Sequence, residues 1–188
     1  MPDPPIVEDR LAPPTLALGA FRLRPMRMDD ADAWLDGLRA PGVIEHTSFP
    51  PIDAGFVRGM LARVLARHAE GGPYGWALVD PQDRLVGTCG FTHWALDHGH
   101  AEIAYDLHPD FQGQGLMSRA VAAVVDWAFT RRGLHRVHAY VMTSNRPSIA
   151  VLERAGFERE GTLRAFRIAR GTPRDFHLYA RLAGGVGH

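Results

Sequence analysis

The sequence predicts one α/β domain, a mixed β-sheet with helices on both faces, and three observations predict it. The 188 residues are 46% apolar and 22% charged, which suits a single domain with a sizeable core and is short for two. Two stretches of helical periodicity give way to short stretches of strand periodicity, followed by helix, strand, helix and closing strands. At the centre, Ala101 to Arg131 reads as a strand, a loop with two glycines and a helix.

Each element follows from its residues. Met1 to Pro14 is proline-rich, carries Glu8 and Asp9, and lacks a basic stretch followed by an apolar one, so it does not read as a secretory signal. Residues 1–15 are expected to be a poorly ordered lead-in, 16–183 the domain and 184–188 a flexible tail. Phe21 to Arg24 alternates apolar and basic residues, as a half-exposed strand does. Asp29 or Asp30 can cap a helix with Ala31, Trp34, Leu35 and Leu38 as its apolar stripe, and Pro41-Gly42 stops it. His46 to Pro51 reads as a loop. A second helix is expected from about Asp53 to Glu70, with Val57, Met60, Leu61, Val64 and Leu65 at helical spacing. Tyr74–Val79 and Leu85–Thr92 are strands around the turn Asp80 to Asp83, and Ala101–Leu107 is the next. A helix runs from Leu116 to Arg131, with Arg131-Arg132 matched to its C-terminal dipole and Gly133 past its end. Arg136–Val141 is a strand. Asn145 opens a helix with Pro147 in its first turn, and Gly156 ends it. Phe157–Leu163 and Phe176–Leu182 close the sheet.

Composition narrows the function. Lys+Arg and Asp+Glu both total 21, giving zero net charge, which argues against a generic nucleic-acid binder, though a local basic patch stays open. No apolar run approaches the roughly 20 residues of a membrane span. Cys89 is the only cysteine, so no intramolecular disulfide forms, and a reducing cytoplasm fits. Mid-strand among apolar residues, Cys89 reads as packing.

The loop Phe111-Gln112-Gly113-Gln114-Gly115-Leu116-Met117 carries the chemistry. Its glycines allow a tight turn, and the helix directly after it presents free N–H groups and a positive dipole end, an anion site that needs no basic side chain. A pyrophosphate fits it. It is not a P-loop, because no Gly-Lys-Ser/Thr follows, and it lacks the third glycine of a dinucleotide fingerprint.

Gln112-Gly113-Gln114-Gly115 resembles the signature of the GNAT superfamily of N-acetyltransferases (Gln or Arg, two residues, Gly, one residue, Gly or Ala). Asn145-Arg146-Pro147-Ser148 with Glu153-Arg154-Ala155-Gly156-Phe157 resembles a second segment of that superfamily. Arg22-Leu23-Arg24-Pro25 with Asp29-Asp30-Ala31, and Gly161-Thr162-Leu163-Arg164 with Asp175, look like the branch containing ribosomal-protein-alanine N-acetyltransferases. The resemblance covers roughly residues 20 to 182. It implies the GNAT fold, a central mixed, mostly antiparallel sheet splayed at its middle strands with acetyl-CoA in the split. There are two departures: Met117 stands at the last small position of the signature, and Leu152 stands where many members carry an acidic tyrosine.

The resemblance implies transfer of an acetyl group from acetyl-CoA to a primary amine, a protein N-terminus or a small amine, by direct attack. Glu102 is the candidate base; the alternative is a solvated or salt-bridged strand residue. Ser148, one helical turn after Asn145, is the candidate acid for the thiolate, its alternative being helix-start preference. Asn145 is a helix cap, a partner of the pantetheine arm, or both. Tyr105, Asp106 and Leu107 are expected along the cofactor, with the backbone of Tyr105 and Leu107 pairing the pantetheine amides. Gln112, Gly113, Gln114, Gly115, Leu116, Met117 and Ser118 are expected to offer amides to the pyrophosphate. Arg119 and Arg154 read better as exposed helix arginines than as ribose-phosphate ligands. His46, Phe49 and His93 are candidates for the acceptor pocket, as is the loop Glu45 to Phe49. His93, His98, His100 and His108 invite a metal reading, but their spacing matches no zinc pattern, and no metal is expected. Expected partners are acetyl-CoA and an amine, not nucleic acid or membrane, for a monomer or homodimer. A non-catalytic acyl-CoA-binding or regulatory domain is the competing reading; the joint presence of Glu102, Asn145 and Ser148 argues against it.

Overall fold

In the computed structural model, residues 13–47, 49 and 51–184 are described. Most of the expected lead-in (1–12), the end of the expected tail (185–188) and Ser48 of the pocket loop lie outside the described residues. In chain order the elements are β1 (Leu16–Leu18), β2 (Phe21–Pro25), α1 (Ala31–Arg39), α2 (Ala54–Ala69), β3 (Gly75–Val79), β4 (Leu85–Ala95), β5 (His100–Leu107), α3 (Leu116–Arg132), β6 (Arg136–Met142), α4 (Arg146–Arg154), β7 (Glu158–Ala169) and β8 (Thr172–Leu182). The strands form one sheet in the order β1-β2-β3-β4-β5-β6-β8-β7. Every neighbouring pair is antiparallel except β5–β6. That pair is parallel because α3 carries the chain back across the sheet between its two strands.

Both faces of the sheet are covered. On one face α1 and α2 bury Trp34, Leu38, Val57 and Leu61 against Ala77 and Val79 of β3. On the other, α3 and α4 bury Val121, Val124, Ala128 and Leu152 with Trp76, Ile103 and Val137. Alternate residues of β3 therefore enter opposite cores, which is why the strand reads as an unbroken apolar run.

The helix ends follow their sequences with one exception. Asp53 caps α2 by accepting the Phe56 N–H at 2.7 Å, and Gly133 follows α3 in the left-handed conformation at φ 65°. No side chain caps α1. Asp30 is instead buried in a two-pronged pair with Arg24, at 2.7 and 2.9 Å, so the buried guanidinium claims the carboxylate. The structure also adds β1, and it extends β4 to Ala95 and the closing hairpin through residues 158–182. Alternation in β7 is broken by a register shift between Leu163 and Arg167, where Ala165 turns to φ 49°, so a period-2 reading stops too early.

The feature that positions the site is the short contact between β5 and β6. They pair only at His100, Ala101 and Glu102, opposite Arg136, Val137 and His138. Beyond Glu102, β5 continues to Leu107 beside β4, and β6 continues to Met142 beside β8. The sheet splits between them.

Candidate active site

Two cavities open at the split. The first, of about 600 Å³, lies between the end of β5, the start of α3 and the first turns of α4. The second, of about 510 Å³, lies under α1 and α2 against β4, β5, β6 and Arg167 of β7. Six residues line both: His46, Thr47, Tyr105, Asp106, Asn145 and Ser148. The cavities therefore meet at one wall.

The loop expected to cradle an anion lines the first cavity. Gly113 and Gly115 sit at φ 75° and 67°, and a Cβ at either would meet nothing within 4 Å. Glycine is needed there for the backbone conformation, not for space. Gly115 starts α3, which no side chain caps, so its first-turn amides face outward for a ligand. Ser118 Oγ, in the same turn, is buried without a partner among the described residues, a donor that a phosphate oxygen satisfies. Gln112, Gly113, Gly115, Leu116, Met117 and Ser118 line this cavity. Leu116 and Met117 send their side chains into the core, which is how Met117 replaces a small residue without closing the loop. Gln114 is exposed and does not line it. Of the two arginines, Arg154 reaches the cavity and Arg119 does not.

Strand alternation sorts the β5 backbone. His108 donates its N–H to Val86 of the β4 side at 2.8 Å, so Asp106, two residues earlier, also turns its backbone to β4, while Tyr105 and Leu107 turn theirs to the split. The expectation for Tyr105 and Leu107 fits this geometry, although Gln112 Nε2 already donates to the Leu107 carbonyl at 3.0 Å. Asp106 lines both cavities, and its side chain also ties elements together. Its carboxylate accepts Trp34 Nε1–H at 3.1 Å and the Thr88 hydroxyl. Burial pushes its pKa up to about 6 against those two donors, so it braces α1 and β4 at the shared wall.

At that wall Asn145 Oδ1 accepts the Ser148 N–H at 3.1 Å and caps α4. Ser148 Oγ lies 2.8 Å from the Tyr105 hydroxyl, which also donates to the Ser148 carbonyl at 3.1 Å. Burial pushes the Tyr105 phenol well above its ordinary value. Sequence reasoning gave Tyr105 a backbone role and missed its hydroxyl; no local signal joins residues 43 apart.

Glu102 lines the second cavity, and its Oε1 pairs with Arg167 at 3.3 Å. It is thus both salt-bridged and at the site, two readings the sequence set against each other. Arg167 in turn stacks over Tyr140, Phe166 and Phe176 at 5.0, 5.0 and 5.6 Å. Cys89 is buried, and desolvation pushes its thiol far up. His46 lines both cavities with its Nδ1 buried and unpartnered among the described residues. Phe49 lines the second cavity and meets Phe56 edge-on at 5.9 Å. His93 does not reach either cavity. A register shift between Phe91 and His93 makes Thr92 the lining residue and leaves His93 exposed. His98 stacks on His100 at 6.3 Å, and His100 meets His138 at 5.7 Å. Among the described residues no three His, Cys, Asp or Glu side chains are grouped to hold a metal.

Comparisons with known proteins show the family. Residues 21–158 match the family described as acetyltransferase (GNAT) domain. The uncharacterized N-acetyltransferase p20 of Bacillus licheniformis is 32% identical over 170 residues, 89% of this chain and 96% of that one. The [ribosomal protein uS5]-alanine N-acetyltransferase of Escherichia coli is 30% identical over 115 residues, 60% of this chain and 59% of that protein. The structure of Mycobacterium smegmatis RimJ in complex with CoA-disulfide superposes with a TM-score of 0.77 at 28% identity, covering 89% of this chain and 84% of that one.

Proposed function

The chain belongs to the GNAT acetyltransferase family and is an N-acetyltransferase that uses acetyl-CoA, and from that premise we propose that a primary amine attacks the thioester directly while both substrates are bound. The observation that carries this reading is the wall shared by the two cavities. Acetyl-CoA takes the first, with its pyrophosphate on the α3 amides, its pantetheine arm along Tyr105 and Leu107, and its thioester at Ser148. The amine, of a protein N-terminus or a small molecule, enters by the second, past His46 and Phe49.

The residues divide the work. The amine nitrogen forms a bond to the carbonyl carbon and loses a proton to Glu102. The C–S bond breaks, and the thiolate takes a proton from the Ser148 hydroxyl as that hydroxyl regains one from solvent. Burial keeps the Tyr105 phenol protonated at neutral pH, and through its contacts with the Ser148 hydroxyl and carbonyl it orients Ser148. Asn145 fixes the turn that presents Ser148. Cys89, neutral and buried, offers no thiolate for an acetyl-enzyme. Residues 16–183 act as the one domain, in the cytoplasm, as a monomer or homodimer. Among the described residues no helix is long and apolar enough to cross a membrane.

Thiol release from acetyl-CoA, followed over a panel of amines and peptides, tests the proposal; turnover on at least one amine is expected. Tight acetyl-CoA binding with no turnover would favour a non-catalytic acyl-CoA-binding module. Glu102→Gln is expected to lower kcat/KM at neutral pH by about a hundredfold and to flatten the acid limb of the pH–rate profile. An unchanged profile would remove Glu102 as the base.

A further inference from the structure

We infer that the amine accepted here carries a carboxylate, held by Arg63 and Arg67 of α2; this rests on the second cavity being the acceptor site. Met60, Arg63, Val64 and Arg67 all line that cavity. Their spacing of three, four and seven residues makes them one stripe of the helix. Two of the four are apolar and two are cationic, where a sequence reading of the stripe registers only the apolar members.

A charge inventory sets these two apart. The cavity's arginines are Arg63, Arg67 and Arg167, and its carboxylates are Glu102 and Asp106. Arg167 is engaged by Glu102 and by three aromatic rings. Asp106 is engaged by Trp34 and Thr88. Neither the exposed Arg63 nor the half-buried Arg67 has an ion pair or a hydrogen bond from its side chain among the described residues, and Arg67 has its Nε sealed off without a partner. Elsewhere on the same helix, Arg58 pairs with Asp32 at 3.2 Å. The dipole of α2 favours a cation at Arg67 in the last turn, but not at Arg63 a turn earlier. A half-buried guanidinium without a counter-charge adds nothing to the stability of the fold. Its planar fork matches a carboxylate in two-point geometry. A polyamine would add positive charge beside two uncompensated arginines, which Coulomb repulsion opposes.

The carboxylate has two sources, the α-carboxylate of a free amino acid or an acidic side chain near a peptide N-terminus. The test uses the full chain with acetyl-CoA and matched probes. One set is free alanine against alaninamide. The other is tetrapeptide amides that begin with two alanines and end in two glutamates, two glutamines or two lysines. A carboxylate probe is expected to exceed its neutral partner in kcat/KM by about tenfold or more. A preference within the first pair identifies the free amino acid, and one within the peptides identifies the acidic segment. The double variant R63E/R67E, checked for folding by its thermal melt, is expected to reverse the order of glutamate and lysine peptides and to leave the KM for acetyl-CoA unchanged. Neutral or lysine probes used as well as the acidic ones, or an order that survives R63E/R67E, would overturn the inference. Calorimetry of the same probes with the CoA-loaded protein reads it without turnover. Tighter binding of the carboxylate probe supports the inference even if no thiol is released, a result that counts against catalysis alone. Equal or weaker binding overturns it.

Discussion

At one end of the β5–β6 pair, His100 to Glu102 lie in parallel register with Arg136 to His138; at the other, from Tyr105 and Tyr140 onward, the same strands face each other across open space. The paired end is held by backbone ladders and by full burial of Ala101 and Val137. The open end is held by side chains brought from elsewhere: Ser148 of α4 on Tyr105, Trp34 of α1 and Thr88 of β4 on Asp106, and Gln112 on the Leu107 carbonyl. The difference separates two duties. Packing at the paired end fixes where the strands diverge, and side-chain bonds at the open end fix what the divergence can do.

Substitutions at the two ends should therefore move different observables. The largest effect is expected from Ser148→Ala at the open end, a fall in kcat of about a hundredfold with acetyl-CoA affinity little changed; full turnover would remove Ser148 as the acid. Next is Val137→Ala at the paired end, where deleting two buried methyl groups should lower the free energy of unfolding by about 2 kcal/mol, read by denaturant titration, with kcat nearly intact. A large loss of kcat without loss of stability would erase the division between the ends. Smallest is Tyr105→Phe, which removes the two hydrogen bonds that orient Ser148 and should lower kcat about fivefold with no change in the KM for acetyl-CoA. A loss as large as that of Ser148→Ala would make Tyr105 the proton source.

The same division marks what the sequence made legible. Asn145 to Phe157 and the glycine loop could be read because their geometry is local: a cap three residues from its amide, a positive φ at Gly115, and a helix starting at the next residue. The splay and its antiparallel flanks came from family resemblance, since no periodicity encodes where two strands part. The hydroxyl of Tyr105, the Arg167 partner of Glu102 and the bracing of Asp106 were invisible, because each joins residues far apart in the chain. His93 was misplaced by a bulge that alternation does not foresee, and β1 was missed because a three-residue strand carries almost no pattern. Arg63 and Arg67 were within reach: they share the stripe of Met60 and Val64, and the apolar count passed over them.

The central claim is that the two cavities work as one site, so the most direct measurement is the initial rate with acetyl-CoA and amine both varied. Direct attack across the shared wall predicts double-reciprocal lines that intersect, and no acetyl group on the protein after exposure to acetyl-CoA alone. Parallel lines, with an acetylated residue found by mass spectrometry, would contradict it.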